Sequence, residues 1–184
     1  MLINATRLTS GAQVLLIDEF FPRDLNDALL QLVDAFAVDN PAWRNPPEFN
    51  GRPRYVYAGT APVVDQLKQY LTSEELNKEL EAHTGRPVRL IDLQIWVDLP
   101  GFGRLTPHVE AWGDYLSQIY ITRQHDPDNG TTIYTDQRRI LYQLPYRNNF
   151  GWFFDQCQLV WHGRKSDVAA GLTRASVMIW YNAA

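Results

Sequence analysis

The chain has 184 residues, a formal net charge of −4, 45% hydrophobic residues and 21% charged ones. That length suits one domain with a substantial core, and the negative balance argues against nucleic acid as a partner. The single cysteine, Cys157, excludes an intrachain disulfide and a cysteine-rich zinc site. It reads as core packing in a reduced, cytoplasmic setting. The first residues form neither a charged-then-apolar leader nor an apolar run of membrane-spanning length, so a soluble chain is expected. The glycosylation sequons at Asn4 and Asn129 are therefore read as coincidental.

Residues 13–19 predict a buried strand. The following residues 20–36 place Leu25, Leu29, Leu32, Val33 and Phe36 at helical spacing, with Pro22 in the first turn and Asp24 and Asp27 near the positive end of the helix dipole. Residues 40–55 hold four prolines and a glycine, which predicts a loop without regular structure, packed by Trp43 and Phe49 or serving as a lid. A second helix is expected over residues 61–71. A third should open at Thr72, with Glu75 completing a capping box, and close at Gly85, with His83 meeting the dipole at its end.

From about Val88 the period changes to alternation, with Leu90, Asp92, Gln94, Trp96 and Asp98 on one face and Ile91, Leu93, Ile95 and Val97 on the other. Turn chemistry at residues 99–107 and 126–131 separates further strands at residues 115–123, 131–135, 158–162 and 174–182. His125 falls in a polar loop and reads as solvent-exposed. The fold class is α+β: N-terminal strand and helices over residues 1–88, then an antiparallel jelly-roll core over residues 89–184, all within one domain.

His108 and Glu110 are two metal-competent side chains one residue apart, and alternation in a strand would send both to one face. His162 follows an apolar strand run in the same β-rich half. Two imidazoles and one carboxylate compose the facial triad of non-heme Fe(II) sites, which leaves coordination positions open for ligands. Arg174, on the next strand, shares a face with Ser176, and a guanidinium fork with a hydroxyl suits a carboxylate held bidentately.

In this order, His-x-Glu, a distal His before Gly, then Arg, residues 89–182 resemble the Fe(II)/2-oxoglutarate-dependent oxygenases. Arg174 followed six residues later by Trp180 and Tyr181, together with Tyr120, is similar to the prolyl 4-hydroxylase-like branch. The resemblance implies a double-stranded β-helix, iron bound by His108, Glu110 and His162, and 2-oxoglutarate held through its distal carboxylate by Arg174, with Tyr120 hydrogen-bonding that carboxylate. It further implies O2 as co-substrate, release of succinate and CO2, ascorbate as an accessory reductant, and hydroxylation of a prolyl residue or a small amino-acid-like molecule. Trp96, Trp112 and Trp180 are candidates for the substrate pocket.

Three features depart from the resemblance. Glu110 stands where the family usually has Asp, the loop at residues 126–131 carries one Gly where many relatives have a pair, and residues 145–154 are bulkier than the family leads one to expect. A non-catalytic jelly roll holding a small ligand or a metal, and a cupin-like enzyme using Zn or Ni without 2-oxoglutarate, remain the alternatives.

Overall fold

The computed structural model describes residues 1–184 except 9–11, 50, 103–104, 111, 136–138 and 159, and of Leu105 and Cys157 the backbone alone. The core packing expected of Cys157 thus lies outside the described residues. Strands β1 (Leu2–Arg7) and β2 (Gln13–Asp18) form a hairpin that leads into helix α1 (Arg23–Asp34). Pro22 is the residue capping α1 rather than a member of its first turn.

The proline-rich passage is more regular than its composition suggests. It contains strand β3 (Trp43–Arg44), a 3-10 turn over Pro47–Phe49 and the start of strand β4 (Arg54–Tyr57). β3 pairs with β4 at the edge of the sheet, where prolines between strands cost no ladder hydrogen bonds. Trp43 is buried there, edge-on to Phe36 and Tyr57.

Helix α2 (Pro62–Leu71) starts on a proline whose missing N–H no helical carbonyl needs. Helix α3 (Glu74–Thr84) is capped one residue later than expected. Ser73 Oγ accepts from Leu76 N, whereas the Thr72 hydroxyl donates back to the Lys68 carbonyl at the end of α2. Gly85 closes α3 at a φ of 75°.

The remaining strands are β5 (Val88–Asp98), β6 (Leu105–His108), β7 (Tyr115–Tyr120), β8 (Thr132–Tyr134), β9 (Ile140–Gln143), β10 (Phe150–Asp155), β11 (Trp161–Arg164) and β12 (Arg174–Ala183). They form two antiparallel sheets, an eight-stranded one in the order β1-β2-β10-β7-β12-β5-β4-β3 and a four-stranded one in the order β6-β11-β8-β9. The chain alternates between the sheets from β5 to β8 and again from β9 to β12, with β8 and β9 paired as neighbours in the small sheet, as in a double-stranded β-helix.

Two cores follow from this layering. On the outer face of the large sheet, Leu25, Leu29, Leu67, Leu71, Leu76 and Leu80 of the helices pack on Ile95, Val97, Val177 and Ile179. Leu29 and Leu67 are fully buried, each stabilising the fold by about 2 kcal/mol. Between the sheets, Leu116, Ile133, Trp152, Phe154, Met178 and Trp180 fill the barrel.

The alternation expected of β5 breaks at one point. Trp180 lies opposite Asp92 but Tyr181 lies opposite Leu90, so Ile91 is an extra, bulged residue. Leu90 therefore packs with the helix-side core and Ile91 with the barrel core, while Asp92, Gln94, Trp96 and Asp98 keep their shared face. β10 comes from residues expected to be neither strand nor helix, and β11 begins three residues after the start of the strand expected at 158–162. Among the described residues, no helix is long and apolar enough to cross a membrane.

Gly151 of β10 sits where a Cβ would lie 2.0 Å from the Gln118 carbonyl oxygen of β7, a close approach to rigid backbone that no rotamer relieves. Gly151→Ala is expected to lower stability by about 3 kcal/mol, read as a fall in the urea midpoint. An unchanged midpoint would show that β10 does not pair as described.

Candidate functional site

The pairing of β11 with β6 places His162 directly opposite His108. Cross-strand partners share a face, and the two rings lie 4.6 Å apart between centroids inside the barrel. Strand β6 ends at His108, so Glu110 arrives from the connection beyond it rather than from the next inward position of the same strand. Its Oε1 nonetheless lies 3.4 Å from His108 Nε2 and 4.0 Å from His162 Nε2. All three ligand atoms fall within 4.8 Å of one another, a set that could hold a metal ion.

Both imidazoles are oriented from behind. His108 Nδ1 faces the Thr106 carbonyl at 2.8 Å and His162 Nδ1 faces the Val160 carbonyl at 3.1 Å. A carbonyl only accepts, so each Nδ1 carries a proton; the His162 Nε2 lone pair faces the shared centre, and His108 Nε2, whose proton is shared with Glu110, would face it likewise once a metal displaced that proton. Bonds of about 2.1 Å at right angles need donor atoms ~3 Å apart, so a small contraction would complete the set.

Trp152 and Phe154, stacked at 4.5 Å, hold the His162 ring at 5.4 and 5.2 Å. Burial and the neighbouring His108 push His162 down to about 4, which keeps it neutral. The hydrogen bond to Glu110 instead raises His108 and lowers Glu110. The centre is thus walled on the His162 side and half-open to solvent at His108 and Glu110.

A second polar cluster lies deeper on the large sheet. Adjacent strands align Arg54, Asp98 and Arg174 in one cross-strand row. Arg54 grips Asp98 bidentately at 2.6 and 2.9 Å, Arg174 Nη1 approaches the same carboxylate at 3.2 Å, and Arg164 stands at 3.7 Å. Burial drives the Asp98 carboxyl up, but the facing guanidiniums outweigh it and hold the group below the usual carboxylate range. Among the described residues, the three guanidiniums face Asp98 at their centre, Asp167 near Arg164 and, through Arg54, Glu110.

Arg174 also donates from Nε to the Asn129 carbonyl at 2.9 Å and from Nη2 to Gln118 Oε1 at 3.4 Å. A guanidinium has more N–H groups than these contacts use, so part of its fork stays open. Ser176 is buried beside it and accepts from Gln118 Nε2 at 2.9 Å. Tyr120 lies under Arg174, with the guanidinium 5.2 Å from its ring. Its hydroxyl is already engaged, donating to Thr131 Oγ1 at 2.8 Å and accepting from Thr131 N at 2.7 Å.

The three tryptophans separate. Trp96 and Trp180 approach to 6.1 Å inside the barrel, and the Trp180 Nε1 is buried without a partner among the described residues. Trp112 is 61% exposed and does not join them.

No protein-family model and no curated protein matches the chain, whereas solved structures do. The epimerase SnoN, in complex with Fe3+, alpha ketoglutarate and nogalamycin RO, matches with a TM-score of 0.67 at 12% identity over 93% of this chain and 79% of that one. HygX from Streptomyces hygroscopicus, with nickel, 2-oxoglutarate and hygromycin B bound, gives 0.61 at 13% identity over 94% and 83%. A Pseudomonas putida prolyl-4-hydroxylase gives 0.59 at 18% identity over 93% and 92%. The fold is that of the 2-oxoglutarate-dependent oxygenases. The prolyl-4-hydroxylase stands among these likenesses without being singled out by them.

Arg54, Asp98, Arg164 and Gln118 were not anticipated as site residues. Arg164 is two positions after His162 and Asp98 shares the alternating face of Trp96, so spacing could have flagged both. Arg54 could not be flagged, because it comes from the passage expected to be an irregular loop. Its guanidinium stacks 4.0 Å over Trp96 and 4.2 Å over Phe102, and its charge reaches both His108 and Glu110.

The Asp98 carboxyl is held lower in the folded chain than its unfolded value near 4, so its contribution is complete above that value and is lost as pH falls through the folded one. Asp98→Asn is expected to cost about 3 kcal/mol or more at pH 7. Between pH 7 and 3 its urea stability should fall less steeply than that of the wild type. Parallel profiles would remove Asp98 as the charged partner of these arginines.

Proposed function

We propose that this protein is an Fe(II)- and 2-oxoglutarate-dependent oxygenase, with His108, Glu110 and His162 as metal ligands and Arg174 and Ser176 holding the distal carboxylate of 2-oxoglutarate. The observation that carries the reading is the triad itself. Two imidazoles have their Nδ1 atoms tied to carbonyls, so that both Nε2 atoms and one carboxylate converge at a half-open centre. The donor set, neutral imidazole with carboxylate, fits a non-heme Fe(II) site. The part of the Arg174 fork that its contacts leave open fits an anionic co-substrate. The bound metal, 2-oxoglutarate and O2 would supply the oxidising power, with succinate and CO2 as co-products.

The chain's own residues perform the remaining tasks. His162, clamped by Trp152 and Phe154, keeps one ligand rigid and dry, while His108 and Glu110 face the side from which a substrate enters. Glu110 reaches the centre from beyond the strand end, which accommodates a side chain one methylene longer than Asp. Arg174 and Ser176 anchor the far end of the keto acid and so fix its orientation towards the triad.

Inside the barrel, the buried Trp180 indole N–H, without a partner among the described residues, would suit an oxygen atom of a substrate. The cross-strand row of His108, His162 and Ile133 continues to the 42% exposed Tyr142 on the inner face of the small sheet. The preferred substrates are a prolyl residue or a small amino-acid-like molecule, a reading supported by the resemblance of the Arg174 to Tyr181 segment and by the prolyl-4-hydroxylase among the structural likenesses.

Anaerobic Fe(II) should bind at one equivalent, and adding 2-oxoglutarate should produce the weak visible absorption of a chelated keto acid. His162→Ala should weaken metal binding by at least about 100-fold. Intact folding and metal uptake without that absorption would instead favour a metal-binding module.

Succinate release, screened against proline-containing peptides and free amino acids, should vanish in Glu110→Ala and persist in part in Glu110→Asp. Turnover that survives Arg174→Ala unchanged would point to chemistry without 2-oxoglutarate.

A further inference from the structure

Gln118 sits on β7, facing the barrel between Met178 of β12 and Trp152 of β10, and is 5% exposed. Its amide is the junction of a directed hydrogen-bond chain. Tyr120 donates to Thr131 Oγ1, and Thr131 Oγ1 donates to Gln118 Oε1 at 2.8 Å. Arg174 Nη2 approaches that same oxygen at 3.4 Å, and Gln118 Nε2 donates to Ser176 Oγ at 2.9 Å.

The orientation of the amide follows from its partners. A guanidinium can only donate, so the atom facing Arg174 is the oxygen and the atom facing Ser176 is the nitrogen. An amide nitrogen can only donate, so the Ser176 oxygen accepts and its hydroxyl hydrogen is left for another acceptor. None of the described residues takes that hydrogen. One amide thus steers the open part of the Arg174 fork and the Ser176 hydroxyl, two donors that stand two residues apart on the same face of β12.

We propose that Gln118 is a positioning residue that makes the site read the second carboxylate of its keto acid, selecting a dicarboxylic over a monocarboxylic one. The inference rests on the oxygenase reading and adds to it the residue that sets co-substrate selectivity. Tyr120 contributes indirectly, since its hydroxyl is committed to Thr131 and serves to lock Gln118. Leucine at position 118 would leave the Ser176 hydroxyl and Arg174 without their guide. Glutamate would accept from both donors and occupy the place of the incoming carboxylate.

The test compares 2-oxoglutarate with 2-oxobutyrate, which chelates through the same keto-acid end but lacks the distal carboxylate. Dissociation constants are read anaerobically on the Fe(II)-loaded protein from the visible absorption of the chelate, with metal affinity and Tm measured alongside. Gln118→Leu should weaken 2-oxoglutarate roughly tenfold and Gln118→Glu roughly a hundredfold, with 2-oxobutyrate changed less than about twofold in both.

Equal weakening of the two keto acids, or no change in either, would overturn the role of Gln118. If neither variant folds, Thr131→Val removes the hydroxyl that holds Gln118 Oε1 and should cost part of the same discrimination. Unaltered discrimination there also overturns the proposal. A wild-type protein that takes up Fe(II) but shows no chelate with 2-oxoglutarate would fail the oxygenase reading itself, and this inference with it.

Discussion

The antiparallel pairing of β11 with β6 is the contact on which the candidate centre depends. It sets His162 opposite His108, residues far apart in the chain, and gives them a common face. The strand-end carbonyls of Thr106 and Val160 then orient both rings without any further side chain. A one-residue slip in that register would turn one imidazole out of the barrel, so the register is as much a functional constraint as a structural one. The tight approach of β10 to β7 at Gly151 and the stacked Trp152 and Phe154 keep the wall behind His162 in place.

The large sheet meets a different requirement, that of keeping several guanidiniums inside a protein. Asp98 offsets the desolvation cost of Arg54 and Arg174 by lying between them in one cross-strand row. Because Arg54 comes from β4, the N-terminal half takes part in this arginine cluster as well as supporting the sheet.

Several elements were legible locally. The stripe of Leu25 and Leu29, the helix expected over residues 61–71, Gly85 at the end of α3 and the alternation from Asp92 to Asp98 all follow from short-range sterics and periodicity, and the structure bears them out. The misplaced features share a physical cause, which is that their conformation is paid for by distant partners. The pair β3 and β4 exists because β5 offers an edge, and β10 is a strand because β2 and β7 flank it. The bulge at Ile91 answers to β12 rather than to anything in β5 alone.

The order of His108, Glu110, His162 and Arg174 and the types of side chain at those positions were determined by the sequence alone, and with them the chemistry that the chain can attempt. Only the tertiary structure decided that Glu110 reaches the candidate centre from outside the strand, that Trp112 stays exposed while Trp96 and Trp180 turn inward, and that Arg54, Asp98 and Gln118 gather around Arg174. The reason is geometric. Spacing along a strand determines which face a residue occupies, but which residues stand beside it on that face depends on the register of neighbouring strands, and that is set by long-range pairing.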